Sequence, residues 1–161
     1  PYRRQRQMCI RDSSTKTFKV GSVSEEAERL LASTEESLML AIEMSKPGVR
    51  IGDLSAAIQE YNESRGFGVV REYVGHGVGA ELHEEPEVPN FGRAGHGPRL
   101  LPGMVIAIEP MITLGKPAVR TLSDGWTVKT RDGKLSAHYE NTIAITDGEP
   151  EILTSIDGEV L

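Results

Sequence analysis

Gly75-His76-Gly77-Val78-Gly79 places three glycines within five residues, and Leu82-His83-Glu84-Glu85-Pro86 follows directly. Glycine at that density loses too much backbone freedom on ordering to hold a helix, so this stretch is expected to be extended or looped backbone that presents His76 and His83. Backbone of that kind is shaped around a reaction centre more readily than around a core, and the rest of the chain has to supply the framework that fixes it.

Two glutamates further on are placed where charge is costly. Met104 to Ile112 reads as one strand, apolar on both faces apart from Glu109 and therefore covered on both sides. Tyr139 to Thr146 alternates and carries Glu140. An ionised carboxylate inside a buried strand costs several kcal/mol unless a cation or hydrogen-bond donors compensate it. For Glu109 alone an arginine partner is the plain alternative. Two such residues on separate strands, together with the glycine-flanked His76, make His76, Glu109 and Glu140 the expected ligands of a divalent metal. One imidazole with carboxylate oxygens suits Mn, Fe, Co or Zn and singles out none of them.

The remaining histidines separate by context. His83 lies on the same glycine-rich loop as a ligand, seven residues on, and is better placed to meet substrate than metal. His96, in Gly95-His96-Gly97, repeats the pattern in a polar loop without an apolar run beside it, so it is expected to be exposed. His138 is two residues before Glu140 and shares its strand face, a candidate for an extra ligand or for a group that orients one. Trp126, the only tryptophan, follows a turn and is either packing or the wall of an apolar pocket.

Around these residues the pattern is that of an α+β chain, with helices first and a curved, mostly antiparallel sheet after them. Ser22 and Glu25 form a capping-box pattern, and Leu30, Leu31, Thr34, Leu38, Ala41 and Ile42 then recur at helical spacing until Lys46-Pro47-Gly48 stops them. A second amphipathic helix is expected from about Asp53 to Arg65, with Leu54, Ile58 and Tyr61 inward and Gly66 as its cap. Val88 to Pro102 is a long Pro- and Gly-rich loop, and Val119 to Thr121 with Trp126 to Thr130 flank Asp124-Gly125, a strong hairpin signal.

At 161 residues and a net charge of −6 the chain is long enough for a core and too acidic to bind nucleic acid non-specifically. Its one cysteine, Cys9, allows neither an internal disulfide nor a thiolate metal cage. No run of about 18 apolar residues is present, and the basic start lacks the apolar stretch of a signal peptide, so the expected compartment is the cytoplasm. Residues 1–13 are read apart from the rest. Tyr2-Arg3-Arg4-Gln5-Arg6-Gln7 is basic and aperiodic, a solvated tail or an arm for ribosomal RNA, while Met8-Cys9-Ile10-Arg11-Asp12-Ser13 looks like the in-frame translation of a transposon-end adapter. The last reading is the preferred one.

Several of these motifs, in this order and spacing, resemble type I methionine aminopeptidase. They are Gly75-His76-Gly77-Val78-Gly79, Leu82-His83-Glu84-Glu85-Pro86, Ile108-Glu109-Pro110-Met111, Asp124-Gly125-Trp126-Thr127-Val128-Lys129-Thr130 and Ser136-Ala137-His138-Tyr139-Glu140-Asn141-Thr142. The likeness runs from about Ser14 to Thr154, and related prolidases and creatinases lack the Asp-Gly-Trp-Thr segment.

The resemblance implies a pita-bread fold, two pseudo-related halves enclosing a dinuclear metal site, and removal of the initiator methionine from nascent polypeptides. It implies that His76 and Glu109 bind one ion, that Glu140 bridges both, and that Glu109 handles the proton of the attacking water. It further implies that His83 bonds the substrate carbonyl and that Trp126 lines the methionine pocket. The family also needs two aspartates and a histidine from its N-terminal half. The second aspartate belongs at position 13, where Ser13 stands, with Asp12 one residue out of register; Leu82 stands where some members carry an aromatic pocket residue. The chain is therefore read as the C-terminal portion, 14–161, of one such domain. It is expected to be a monomer that binds at most one ion weakly and has little or no activity, with nascent N-terminal peptides as substrates and the ribosome as a possible partner. A prolidase-like peptidase and a non-catalytic binding module of the same fold are the alternatives.

Overall fold

The computed structural model describes residues 13–156 and 159–160; of the segment 1–13, on which the tail, arm and adapter readings fall, all but Ser13 lies outside the described residues. Helix α1 spans Glu25–Met44, with Glu25, Glu26 and Glu28 in its first turn, where the helix dipole favours acids. Its cap is Ser24 and not Ser22: the Ser24 hydroxyl accepts the Ala27 N–H at 3.2 Å, two residues later than the capping-box pattern suggests. Helix α2, Ile51–Glu63, begins and ends two residues earlier than expected. It starts there because Asp53, at its third position, accepts the Arg50 N–H at 2.9 Å. Gly66 closes it with φ +84, and the Phe67 N–H returns to the Asn62 carbonyl at 3.1 Å.

Leu54 and Ile58 point inward as expected, but Tyr61 does not. Its hydroxyl bonds Glu36 of α1, and Asn62 takes the buried place instead, accepting from Ser33 at 2.9 Å. An amide with partners on both helices can be buried there; a phenol would have to leave its polar tip unpaired.

The strands run in order β1 (Gly68–Val69), β2 (Gly75–Gly77), β3 (Glu84–Val88), β4 (Val105–Ile108), β5 (Met111–Thr113) and β6 (Val119–Thr121). They continue with β7 (Val128–Thr130), β8 (Ser136–His138), β9 (Asn141–Ala144), β10 (Glu151–Ile152), β11 (Ser155–Ile156) and β12 (Glu159–Val160). One sheet has the order β10-β9-β4-β2-β3 and a second β1-β5-β8; β6-β7 and β11-β12 are hairpins, and every pairing is antiparallel.

Neither glutamate lies inside one of these strands, where the sequence expects both. Met104 to Ile112 becomes β4 in the larger sheet and β5 in the smaller, parted at Glu109-Pro110. The second stretch, Tyr139 to Thr146, is strand only from Asn141 onward, as β9 of the larger sheet, and Tyr139-Glu140 separates it from β8 of the smaller one. Pro110 is the cause, because it has no N–H to extend the ladder. Opposite it the Tyr139 N–H reaches the Pro110 carbonyl at 3.3 Å, and the Glu140 N–H turns to the Thr15 carbonyl at 2.8 Å. Both chains thus cross from one sheet to the other side by side.

Register then assigns faces. His76 pairs with Ala107, and Ala107 with Thr142, so the three side chains share one face. Glu109 and Glu140 lie two residues from Ala107 and Thr142 and continue that face past the break. The opposite face carries Ile106, Ile108 and Ile143, fully buried in one core with Leu30, Leu38, Leu54 and Ile58 of the helices. Gly75 and Gly77 are glycines because a Cβ on either would collide with backbone carbonyls, of Ala107 and Glu85 respectively.

Asp53 also fastens the long loop, accepting the Gly95 N–H at 2.6 Å. The Gly95 and Arg50 N–H groups hold its carboxyl below the usual value, so it stabilises the fold at neutral pH and loses that contribution as pH falls through its lowered value. Asp53→Asn is expected to lower the melting temperature at pH 7, with the gap to the wild type closing below pH ~4. A gap that stays constant across that range, in melting curves at each pH, contradicts the assignment.

Candidate metal centre

His76 is buried on β2, and its Nδ1 meets the Gly77 carbonyl at 2.9 Å. With Nδ1 as donor the lone pair lies on Nε2, which points at Glu109, 3.8 Å from Oε1. Donor atoms of His76, Glu109 and Glu140 all lie within 4.8 Å of one another, a spacing that one divalent ion can draw together. The three residues expected as ligands do converge, His76 from β2 and the two glutamates from the breaks beside β4 and β9, from positions 64 residues apart in sequence at the extremes.

Glu140 is buried, and hydroxyls hold it on both oxygens: Ser13 donates to Oε1, and Thr15 to Oε2 at 2.8 Å. Thr142 in turn donates to the Ser13 carbonyl at 2.8 Å, fixing Ser13 beside the carboxylate. Glu109 is held through its own carbonyl by the buried Asn90 amide at 2.9 Å. Among the described residues neither carboxylate is paired with a lysine or arginine, so the arginine alternative for Glu109 does not hold there. A buried Glu140 facing a partly buried Glu109, with no lysine or arginine on either among the described residues, fits a site built for a metal cation.

The other histidines lie in three different settings. His83, exposed on the loop between β2 and β3, has its ring centroid 4.1 Å from that of His76, at the edge of the site. His138 approaches the far oxygen of Glu109, with Nε2 3.2 Å from Oε2. His96 is exposed in its loop, with Nδ1 3.0 Å from the Ala94 carbonyl.

A cleft of about 700 Å³ opens beside Glu109, with His83, Met111, Trp126, Val128 and His138 among its walls. Trp126 belongs to the turn of the β6-β7 hairpin and not to β7, which starts at Val128, and it is 88% exposed. The Asp124 carboxylate shapes that turn. It accepts the Trp126 and Thr127 N–H groups at 3.0 and 2.9 Å and the Thr127 hydroxyl at 2.6 Å, which together hold the carboxyl below its usual value. Leu82 is 39% exposed and is not among the cleft walls.

Thr15 and Asn90 act on the site without having been singled out by the sequence, whereas position 13 is marked by the resemblance. Thr15 and Thr17, two apart and so on one face of an extended chain, are the one faint signal of a polar edge there. Asn90 sits in the long loop, where no periodicity marks it.

The profile of metallopeptidase family M24 matches residues 11–147. A methionine aminopeptidase of Clostridium perfringens is 59% identical over 143 residues, 89% of this chain and 57% of that protein. The crystal structure of methionine aminopeptidase from Thermotoga maritima superposes with a TM-score of 0.88 at 50% identity, covering 89% of this chain and 57% of that one. The prolidase from Pyrococcus horikoshii OT3 gives a TM-score of 0.67 at 29% identity, covering 92% of this chain and 37% of that one. The chain thus spans a little over half the length of the methionine aminopeptidases it matches. With a family profile running through His76, Glu109 and Glu140, and with methionine aminopeptidase and prolidase structures sharing its pita-bread fold, this chain belongs to metallopeptidase family M24.

Proposed function

We propose that this chain carries the metal-binding and substrate-facing part of a methionine aminopeptidase, which removes the initiator methionine from nascent polypeptides in the cytoplasm. The observation that carries the reading is the meeting of His76, Glu109 and Glu140 beside an apolar cleft. The higher identity and TM-score against methionine aminopeptidase than against prolidase support this substrate over an X-Pro peptide.

Each residue has a role set by its place. His76 offers Nε2, and Glu109 and Glu140 offer carboxylate oxygens, to one of the divalent ions Co, Mn, Fe or Zn. Such an ion, when bound, polarises the scissile carbonyl and makes water a better nucleophile. Glu109 borders both the ligand group and the cleft, so its carboxylate takes the proton from the attacking water and passes it to the leaving amine. His83 donates to the substrate carbonyl from the rim, and Trp126 closes over the methionine side chain in the cleft. The peptide is bound as a monomeric enzyme's substrate, with the ribosome as the site of encounter.

The direct test joins residues 14–154 to the upstream half of the Clostridium perfringens enzyme and assays Met-Ala-Ser beside an X-Pro peptide. Methionine release without X-Pro cleavage is expected, falling by at least ~100-fold in Glu109→Gln. X-Pro cleavage would favour the prolidase reading, and a folded chimera inert on both peptides would favour a binding module.

Ser13 limits what the chain binds alone. It places a neutral hydroxyl against Glu140 where the resemblance places an aspartate. Ser13→Asp sets a second carboxylate against a buried first, so the metal-free protein is expected to melt lower than the wild type at pH 7. Mn(II) is expected to reverse the order, since the added acid becomes a ligand. A variant that melts lower with and without Mn(II) contradicts this.

A further inference from the structure

We propose that His138 is the residue that aims Glu109: it donates its Nε2–H to Oε2 of that carboxylate, leaving Oε1 turned to His76 and the ion. The proposal rests on the metal-centre reading given above. Glu109 then presents one defined oxygen to the ion, where an untethered carboxylate could rotate freely.

Four observations converge on it. His138 Nε2 is 3.2 Å from Glu109 Oε2, while His76 Nε2 faces the other oxygen, Oε1, at 3.8 Å. One carboxylate therefore sits between two imidazoles, each on its own oxygen. Second, His138 Nε2 is fully buried and makes no hydrogen bond at the angles seen, so Glu109 Oε2 is the charged acceptor at hand for it. A buried donor left unpaired is costly and a bond to a charged acceptor is stabilising, so a small rotation that completes this one is favoured.

Third, the backbone beneath His138 is fixed on both sides. β8 pairs His138 with Met111 of β5, and the Thr17 hydroxyl accepts the His138 N–H and donates to the His138 carbonyl, each at 2.9 Å. Because Glu109 is two residues before Met111, the two side chains are diagonal neighbours on one face. Asn90 holds the Glu109 carbonyl, so the residue is secured at its main chain and, through His138, at its carboxylate.

Fourth, His138 does not join the donor atoms that lie within 4.8 Å of one another. It cannot share the ion with His76, Glu109 and Glu140 as they stand, and its action on the metal runs through Glu109. It is a positioning residue, not a ligand.

The test is Mn(II) titrated calorimetrically into the full 161-residue chain, with the metal-free melting temperature of each variant recorded beside it. His138→Ala is expected to weaken Mn(II) binding by about 10–100-fold while the metal-free variant stays folded, melting somewhat below the wild type because the bond to Glu109 is lost. His138→Leu, which keeps bulk and loses the donor, is expected to match the alanine variant. His138→Gln, whose side-chain amide can donate from nearly the same place, is expected to recover most of the affinity. Affinity unchanged in both His138→Ala and His138→Leu overturns the proposal, as does a His138→Gln variant as weak as they are. If the wild-type chain binds Mn(II) no better than Glu109→Gln, the metal-centre reading itself fails, and the proposal with it.

Discussion

Two carboxylates face one another below the protein surface, at the place where two neighbouring strands leave one sheet for another. Glu109 and Glu140 have donor atoms within 4.8 Å of each other and of His76, and no lysine or arginine among the described residues neutralises either. Like charges that close in a partly buried site repel, and several kcal/mol must be offset for both to remain ionised. Hydroxyls from Ser13 and Thr15 offset part of it on Glu140, and imidazoles flank Glu109. A divalent cation offsets the rest most directly, and the surrounding architecture is arranged to hold the pair in place for it.

The sheet does this by dividing its faces. Ile106, Ile108 and Ile143 bind the helices on one side, so β4 and β9 are anchored by a dry core. His76, Ala107 and Thr142 lie on the other side, with the two glutamates one pleat further on. Pro110 ends the ladder beside Glu109 and forces the switch of sheets there. The smaller sheet then brings His138 to Glu109, and the β6-β7 hairpin brings Trp126 to the cleft. Placement of the chemistry follows from register and from one missing N–H.

Much of this was legible because it violates a local rule. A charge in an apolar run stands out, which is why Glu109 and Glu140 could be picked from their strands. A histidine between glycines stands out for the same reason, and the helices announced themselves by plain periodicity. What the sequence hid was long-range. The hydroxyls on Glu140 come from residues 127 and 125 positions away, and the amide on the Glu109 carbonyl from a loop with no pattern of its own. The break at Glu109-Pro110 is hidden differently: the apolar run passes straight over Pro110, and only the pairing partners reveal that the residues on either side belong to different sheets. Tyr61 was placed inward by its spacing, yet Asn62 is buried because Ser33 of α1 waits for an amide.

The most direct test of this account is anomalous diffraction from crystals of the full chain grown with Mn(II). The account predicts one strong peak within about 2.0–2.3 Å of His76 Nε2 and of one oxygen each from Glu109 and Glu140. An empty site at millimolar Mn(II), or a peak bound elsewhere while the two carboxylates pair with a protein cation, would contradict it.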